Sequence, residues 1–234
     1  MEKYEKISNN KVFKFLEYLY NLIVANMITF LTIVLTLGIT TLPALTALAL
    51  VVKGLRERDE FPVVQTYFYA YKKNFKKMML VEIPFFIFFI LYLFNFFYFR
   101  QMLEEYSGLY NEIAYYVTIV IIVIAVLGFT NSSIVRVYYP HLDVKKILKY
   151  SFVLMKVTSW KVIIMFVVLI LYTLLPREIW LTFGLPFIMF SLYYFIYIEL
   201  IHSDYIRLLP QGYNDQKALN YAIEIRQNKK DKRK

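Results

Sequence analysis

The chain has 234 residues, of which 59% are hydrophobic and 19% aromatic, and its formal net charge is +10. An ordinary soluble domain is roughly 45–50% apolar, and the apolar residues here form runs near the length that a bilayer requires. The composition therefore argues against a soluble core, and the absence of cysteine excludes disulfides and thiolate metal sites.

The chain opens with a predicted basic amphipathic segment, residues 1–18, which suits the headgroup layer of a membrane. No small-residue cleavage site follows the first apolar run, so the first span, about 19–37, is expected to stay in the mature protein. Thr29, Thr32 and Thr36 share one face of this span. A helix-packing face is favoured over a polar conduit, because hydroxyls in membrane helices usually serve packing.

A tight return into a second span, about 40–56, is predicted next. Pro43 suits the first turn of a helix, Gly38 permits the bend, and the threonines at 40 and 41 could cap the exposed amides. The small residues that follow let helix backbones approach closely. Because this span is short, it is either shielded by neighbouring helices or thins the membrane, and a re-entrant loop stays possible.

A basic aromatic segment leads to the third span, about 78–99. The mixture of aromatics and lysines also occurs on RNA-binding surfaces, but the flanking spans favour a helix in the lipid interface. Within the span, Glu82 lies one turn from the start, Pro84 is a candidate kink and Asn95 lies near the far end. The lysines of the candidate basic interface are Lys72, Lys73, Lys76 and Lys77.

The fourth span is predicted at about 113–131, with Gly128 and Ser132 spaced for close helix packing. Asn131 and Arg136 stand at its lower end. A second basic amphipathic segment follows, and its candidate interface lysines are Lys145, Lys146 and Lys149.

The fifth and sixth spans are predicted at about 161–175 and 179–201, and Gly184 with Pro186 is a candidate kink in the sixth. Residues 202–234 then form a cytoplasmic basic tail. Residues 19–201 are thus one membrane domain. The predicted fold is all-α: a polytopic bundle of six spans arranged as three hairpins, with basic amphipathic interfacial helices on the cytoplasmic side.

The distribution of basic residues sets the orientation of this bundle. Of the 27 lysines and arginines, all but Arg100 and Arg177 fall on one face of the six-span arrangement. Positively charged segments stay cytoplasmic during insertion. Both termini are therefore predicted inside a bacterial cytoplasmic membrane, with anionic lipid at the basic face.

The sequence shows no catalytic or nucleotide-binding motif, so we predict no enzyme, no cofactor and no metal. His202 with Asp204 is interpreted as a solvated interface pair rather than a metal site, because two ligands are weak support. Charges within spans are the better lead. Glu82, Arg136 and Glu199 are all shallow, which favours interface ion pairs over an ion-coupling site.

The region around the return resembles the YesL-like family of bacterial integral membrane proteins. The resemblance is best over residues 20–80 and implies membrane embedding, an unsettled activity and a role near carbohydrate uptake. It carries over no functional residues. The matching positions are Gly38, Thr41, Pro43, Ala44, Ala47, Lys53 and Asn74-Phe75-Lys76-Lys77.

The leading hypothesis is an accessory or assembly partner of a bacterial carbohydrate transport system, with transporter subunits and lipid as partners and no nucleic acid. The alternative is a small transporter or channel, in which the threonine face, Glu82, Asn95 and Asn131 line a cavity. A membrane enzyme would need convergent titratable groups in one pocket, and the sequence displays none.

Overall fold

The computed structural model describes residues 11–57, 62–106, 108–158, 160–161, 163–165, 167 and 189–207. Every regular element in these ranges is a helix, so the all-α prediction is confirmed for the described part of the chain. The helices are α1 (Lys11–Leu35), α2 (Thr41–Glu57), α3 (Val63–Glu105), α4 (Leu109–Tyr138), α5 (Val144–Val157) and α6 (Phe190–Arg207). Three segments are long and apolar enough to cross a membrane: Val12–Leu35, Val63–Glu105 and Leu109–Tyr138.

A turn over residues 36–40 joins α1 to α2. Leu37 and Gly38 both have left-handed backbones, with φ of 51° and 78°. The Gly38 amide donates to the Ile33 carbonyl at 2.8 Å and the Leu37 amide donates to Val34 at 3.0 Å. These bonds form the Schellman pattern that ends many helices, so the structure places Gly38 at the bend.

Helix α2 is buried on almost all its faces. Pro43 lies in its first turn, where the missing amide proton has no helical partner to lose. The small residues Ala44, Ala47 and Ala49 are fully buried and let α1, α3 and α4 pack closely around the helix. Protein therefore surrounds this short apolar helix over most of its length.

Helix α3 runs without interruption through 43 residues, which corresponds to about 64 Å at 1.5 Å per residue. The predicted interfacial segment before residue 78 is the first part of this helix rather than a separate element. Pro84 lies inside the helix and does not end it. A proline removes one hydrogen bond of the helical ladder, and the bonds on either side keep this helix continuous.

The described helices form two regions with different surroundings. The body is the packed region, which holds all the buried residues of α3 and α4 except Thr118. The arms are the parts of α3 and α4 that extend beyond it. The arms contact each other, as in the pair Phe96–Tyr115 with ring centroids 5.4 Å apart. The arms comprise residues 86–105 and 109–124, and the body comprises 11–57, 63–85, 125–157 and 190–201.

The α1–α2 hairpin lies beside the first half of α3. The Glu82 carboxyl group lies against the backbone amides of Thr41 and Leu42, at the start of α2. Fifteen residues earlier in α3, the Tyr67 hydroxyl faces Thr29 and Thr32 of α1 without completing a hydrogen bond to either. Beyond Glu82, α3 continues for another 23 residues, or about 34 Å.

The structure thus offsets α1 and α2 toward the first half of α3. Hydropathy measures how long an apolar run is but not its height beside another helix, so the offset could not be read from the sequence. Residues 168–188, which include much of the predicted span 161–175 and the first part of the predicted span 179–201, lie outside the described residues. Gly184 and Pro186 also lie outside them.

Candidate functional site: a buried polar network

Asn131 of α4 lies at the centre of the polar groups inside the body. It is fully buried, and its side-chain amide donates to the Ser151 carbonyl of α5 at 2.6 Å. Its side-chain oxygen accepts from the Tyr197 hydroxyl of α6 at 3.2 Å. One side chain therefore ties three helices together.

Two further tyrosines of α6 bond to the same stretch of α4. The Tyr194 and Ser133 hydroxyls lie 2.6 Å apart, and the Tyr193 and Thr130 hydroxyls lie 3.2 Å apart. Sequence reasoning did not single out these tyrosines. Their spacing of three and four residues, which places Tyr193, Tyr194 and Tyr197 near one face of a helix, was the available signal.

Arg136 is the buried cation of this network. Its Nε donates to the Asn74 side-chain oxygen at 2.9 Å, and a terminal nitrogen donates to the Pro140 carbonyl. Asn74 in turn donates to the Ala70 carbonyl of its own helix at 2.9 Å. The guanidinium group thus locks the end of α4 to α3, since a buried charge needs hydrogen-bond acceptors close by.

Glu82 is the buried acid, with 7% of its surface exposed. Within the described residues no lysine or arginine lies at ion-pair distance from it, so the predicted ion pair is not found. The amides of Thr41 and Leu42 occupy that place, because a helix N-terminus carries a partial positive charge. Its Oε2 atom has no hydrogen-bond partner within the described part of the chain.

The threonines before α2 do not cap its amides as the sequence suggested. The Thr41 hydroxyl donates to the Gly38 carbonyl at 2.7 Å, and the Thr40 and Thr36 hydroxyls lie 2.8 Å apart. Both groups therefore stabilise the turn, while the Glu82 carboxyl group lies beside the amides at the start of the helix. The negative charge near the start of α2 thus comes from a residue 41 positions further along the chain.

Glu199 does form an ion pair, with Arg56 of α2. The Arg56 Nε and Glu199 Oε1 atoms lie 2.6 Å apart, and both side chains are partly exposed. The nearby Lys53 ammonium group lies 4.5 Å from the centre of the Tyr138 ring, a cation–π contact. These contacts hold the C-terminal end of α2 in place.

The threonine face of α1 is bonded to its own helix. Thr29 donates to the Ala25 carbonyl at 2.8 Å and Thr32 donates to the Ile28 carbonyl at 2.7 Å. Thr36 donates to the Thr32 carbonyl at 2.8 Å. This is the arrangement expected of packing residues rather than of groups that face a solute.

The remaining predicted residues lie on surfaces. Asn95 is exposed on the arm of α3, far from the network. The Lys77 ammonium group donates to the Leu142 carbonyl at 3.2 Å, which brings the lysine-rich part of α3 close to the start of α5. The exposed lysines on these two helices are Lys72, Lys73, Lys76, Lys145, Lys146 and Lys149.

Gly128 marks the closest approach of α4 and α5. A Cβ atom at this position would lie 2.6 Å from the Phe152 ring, too close for any real contact. Ser132, one turn later, donates to the Gly128 carbonyl at 2.8 Å. Among the described residues, no group of three histidine or carboxylate side chains could hold a metal ion.

The network and the α1–α2 return can now be compared with known proteins. Residues 22–96 match the family described as "Protein of unknown function, DUF624". YesL belongs to that family. The match covers 75 of the 234 residues, from α1 through α2 into the arm of α3. No curated protein and no solved structure matches the chain. Together with the three apolar helices, this partial match indicates a membrane protein, and it assigns no function.

Proposed function

We propose that this chain is a non-enzymatic protein of the bacterial cytoplasmic membrane that acts as an accessory or assembly partner of a transport system. The cargo class, carbohydrate, comes from the resemblance to the YesL-like family. The proposal rests mainly on Asn131, whose side-chain amide and side-chain oxygen both form hydrogen bonds to other helices of the same chain.

A transporter or channel needs polar groups in its interior that stay available to bind the solute. The hydroxyls of Thr29 and Thr32 bond to carbonyls of their own helix, and Asn131 bonds to α5 and α6. Asn95 lies on the outer surface of an arm. Of these polar groups, Asn131 therefore joins helices, the two threonines bond within α1 and Asn95 lies outside the packed region, which favours a scaffold over a transporter.

The partner surface in this proposal is the basic face made by α3 and α5. Exposed lysines on both helices meet where Lys77 bonds to Leu142, and both termini are proposed to lie on the same, cytoplasmic side. Such a face attracts acidic partner surfaces and anionic lipid headgroups.

The test is co-purification in mild detergent at native expression level. We expect subunits of a transport system to co-purify with the wild-type chain, and we expect the triple variant Lys145→Gln, Lys146→Gln, Lys149→Gln to lose them. The control is Arg100→Gln, which removes an exposed charge from the end of an arm. Recovery of the wild-type protein alone would contradict the proposal.

A transporter or channel is the second candidate, because Glu82 is buried with one oxygen unpartnered. In reconstituted liposomes this function predicts solute flux that Glu82→Gln abolishes. Glu104→Gln, at the exposed end of the same helix, is the matched control. We expect no flux from the wild-type protein, and flux that depends on Glu82 would replace the scaffold proposal.

A further inference from the structure

The arms have the length and chemistry of a bilayer crossing. Between Glu82 and Arg100, α3 carries no charged residue, and the distance along the helix is about 27 Å. Helix α4 likewise carries no charge between Glu112 and Arg136. The outer surfaces of both arms are apolar, with 71% of the Phe94 surface exposed. A hydrocarbon core is about 30 Å thick, which matches this length.

The body beside the α1–α2 hairpin has a different chemistry. Two of the positions at which the hairpin lies beside α3 are Tyr67 and Glu82. Between them, α3 carries three exposed lysines, Lys72, Lys73 and Lys76. A slab of hydrocarbon drawn around the hairpin would therefore contain these lysines. Lys72 lies about 15 Å below Glu82, near the middle of such a slab.

The energetic difference between the two placements is large. A lysine at the centre of a membrane helix is disfavoured by roughly 2.5–3.5 kcal/mol on insertion scales. A slab around the arms contains no lysine or arginine of α3 or α4. The bilayer therefore fits residues 83–99 and does not fit the stretch of α3 that the hairpin contacts.

We propose that the arms carry this part of the chain across the bilayer, and that the α1–α2 hairpin stays on the cytoplasmic side with its tip at the lipid interface. The distribution of basic residues agrees with this placement. A hairpin that never crosses returns the chain to the same side as a hairpin that crosses twice. The charge count therefore cannot distinguish the two arrangements, whereas the register of α1 and α2 against α3 can.

The outer face of the hairpin fits the boundary between headgroups and acyl chains. Leu35, Leu37 and Ile39 are exposed and apolar, and the turn that holds the last two follows directly on from α1. The start of α2 lies beside Glu82, at the level where the charge-free part of α3 begins. Apolar side chains at that height reach the boundary between headgroups and acyl chains.

The first test uses the absence of cysteine from the chain, because each introduced cysteine is then the single target of a membrane-impermeant maleimide. The variants are Ile39→Cys, the cytoplasmic reference Lys72→Cys and the reference at the far end of the arms, Tyr110→Cys. In intact cells we expect labelling of Tyr110→Cys and none of Ile39→Cys or Lys72→Cys. External labelling of Ile39→Cys to the level of Tyr110→Cys would overturn the proposal.

The second test measures depth in reconstituted bilayers, so that it does not depend on access of the maleimide. Spin labels at Leu31→Cys and Ile90→Cys are compared by their collisions with oxygen and with a water-soluble nickel complex. We expect the label at 90 to lie deep in the hydrocarbon and the label at 31, near the level of Tyr67, to lie outside it. Equal depth would place α1 in the hydrocarbon core beside α3 and would overturn the proposal.

Discussion

The body and the arms contain parts of the same two helices, α3 and α4, but they are held together differently. In the body, polar side chains such as Asn131 and Arg136 bond across helices, and Gly128 permits close contact. In the arms, α3 and α4 meet through aromatic rings, as in the pair Phe96 and Tyr115. Hydrogen bonds between helices therefore stabilise the body, whereas the arms are stabilised by contacts between rings and by the medium around their apolar surfaces.

The largest expected effect is on the placement of the arms in lipid. Phe94→Lys puts a charge on the exposed surface of an arm, and we expect membrane insertion to be weakened by about 3 kcal/mol. The matched change Leu31→Lys on α1 is expected to weaken it by less than about 1 kcal/mol, because the proposed arrangement keeps that position outside the hydrocarbon core. The measurement is the membrane-inserted fraction of each variant. Equal losses would remove the distinction between the two regions.

The next effect tests the hydrogen bonds of the body. Asn131→Ala leaves the Ser151 carbonyl and the Tyr197 hydroxyl without their partner, and we expect the free energy of unfolding to fall by about 2 kcal/mol. Asn95→Ala on the exposed arm is the control and is expected to change it by less than about 0.5 kcal/mol. Denaturant unfolding in detergent measures both. A small effect at both positions would show that the network does not stabilise the body.

A smaller effect is expected from closing the gap between α4 and α5. Gly128→Ala forces a methyl group against the Phe152 ring, and we expect a loss of about 1.5 kcal/mol in unfolding free energy. Gly108→Ala is the control, since nothing lies within 4 Å of a Cβ atom there. Adding Phe152→Leu to Gly128→Ala is expected to recover part of the loss. No recovery would mean that the ring is not the source of the strain.

The smallest effect is expected from breaking an ion pair, and one pair in each region is compared. Glu199→Gln breaks the pair with Arg56 in the body and is expected to lower the unfolding free energy by less than about 1 kcal/mol, less again at high salt. Glu104→Gln breaks the exposed pair with Arg100, whose atoms lie 3.6 Å apart, and is expected to have no measurable effect. Thermal unfolding at two salt concentrations compares them. A larger loss for the arm pair would contradict the contrast between the regions.

The sequence was sufficient to predict the elements whose causes are local. Pro43 and the alanines after it predicted the buried helix α2, and Gly38 predicted the bend before it. The spacing of Gly128 and Ser132 predicted a close contact, which the structure places against Phe152. In each case a proline, a glycine or a small residue acts within one or two turns of its own position.

The sequence was not sufficient where the cause lies in a distant element. Glu82 lies beside the first amides of α2 only because α3 returns to that point, 41 residues after Thr41. The α6 tyrosines find Ser133 and Asn131 only through packing. Hydropathy places the apolar runs but does not fix their relative height, so the heights of α1 and α2 beside α3 could not be predicted.

The backbone of Leu37 has a consequence for how the hairpin tip responds to its environment. A left-handed conformation raises the energy of a non-glycine residue by about 1–2 kcal/mol, and this leucine also presents 88% of its surface outward. Leu37→Gly is expected to relieve this backbone strain and so to raise the stability of the protein against unfolding in detergent. The same substitution removes an apolar side chain from the tip of the hairpin, so the affinity for lipid vesicles is expected to fall.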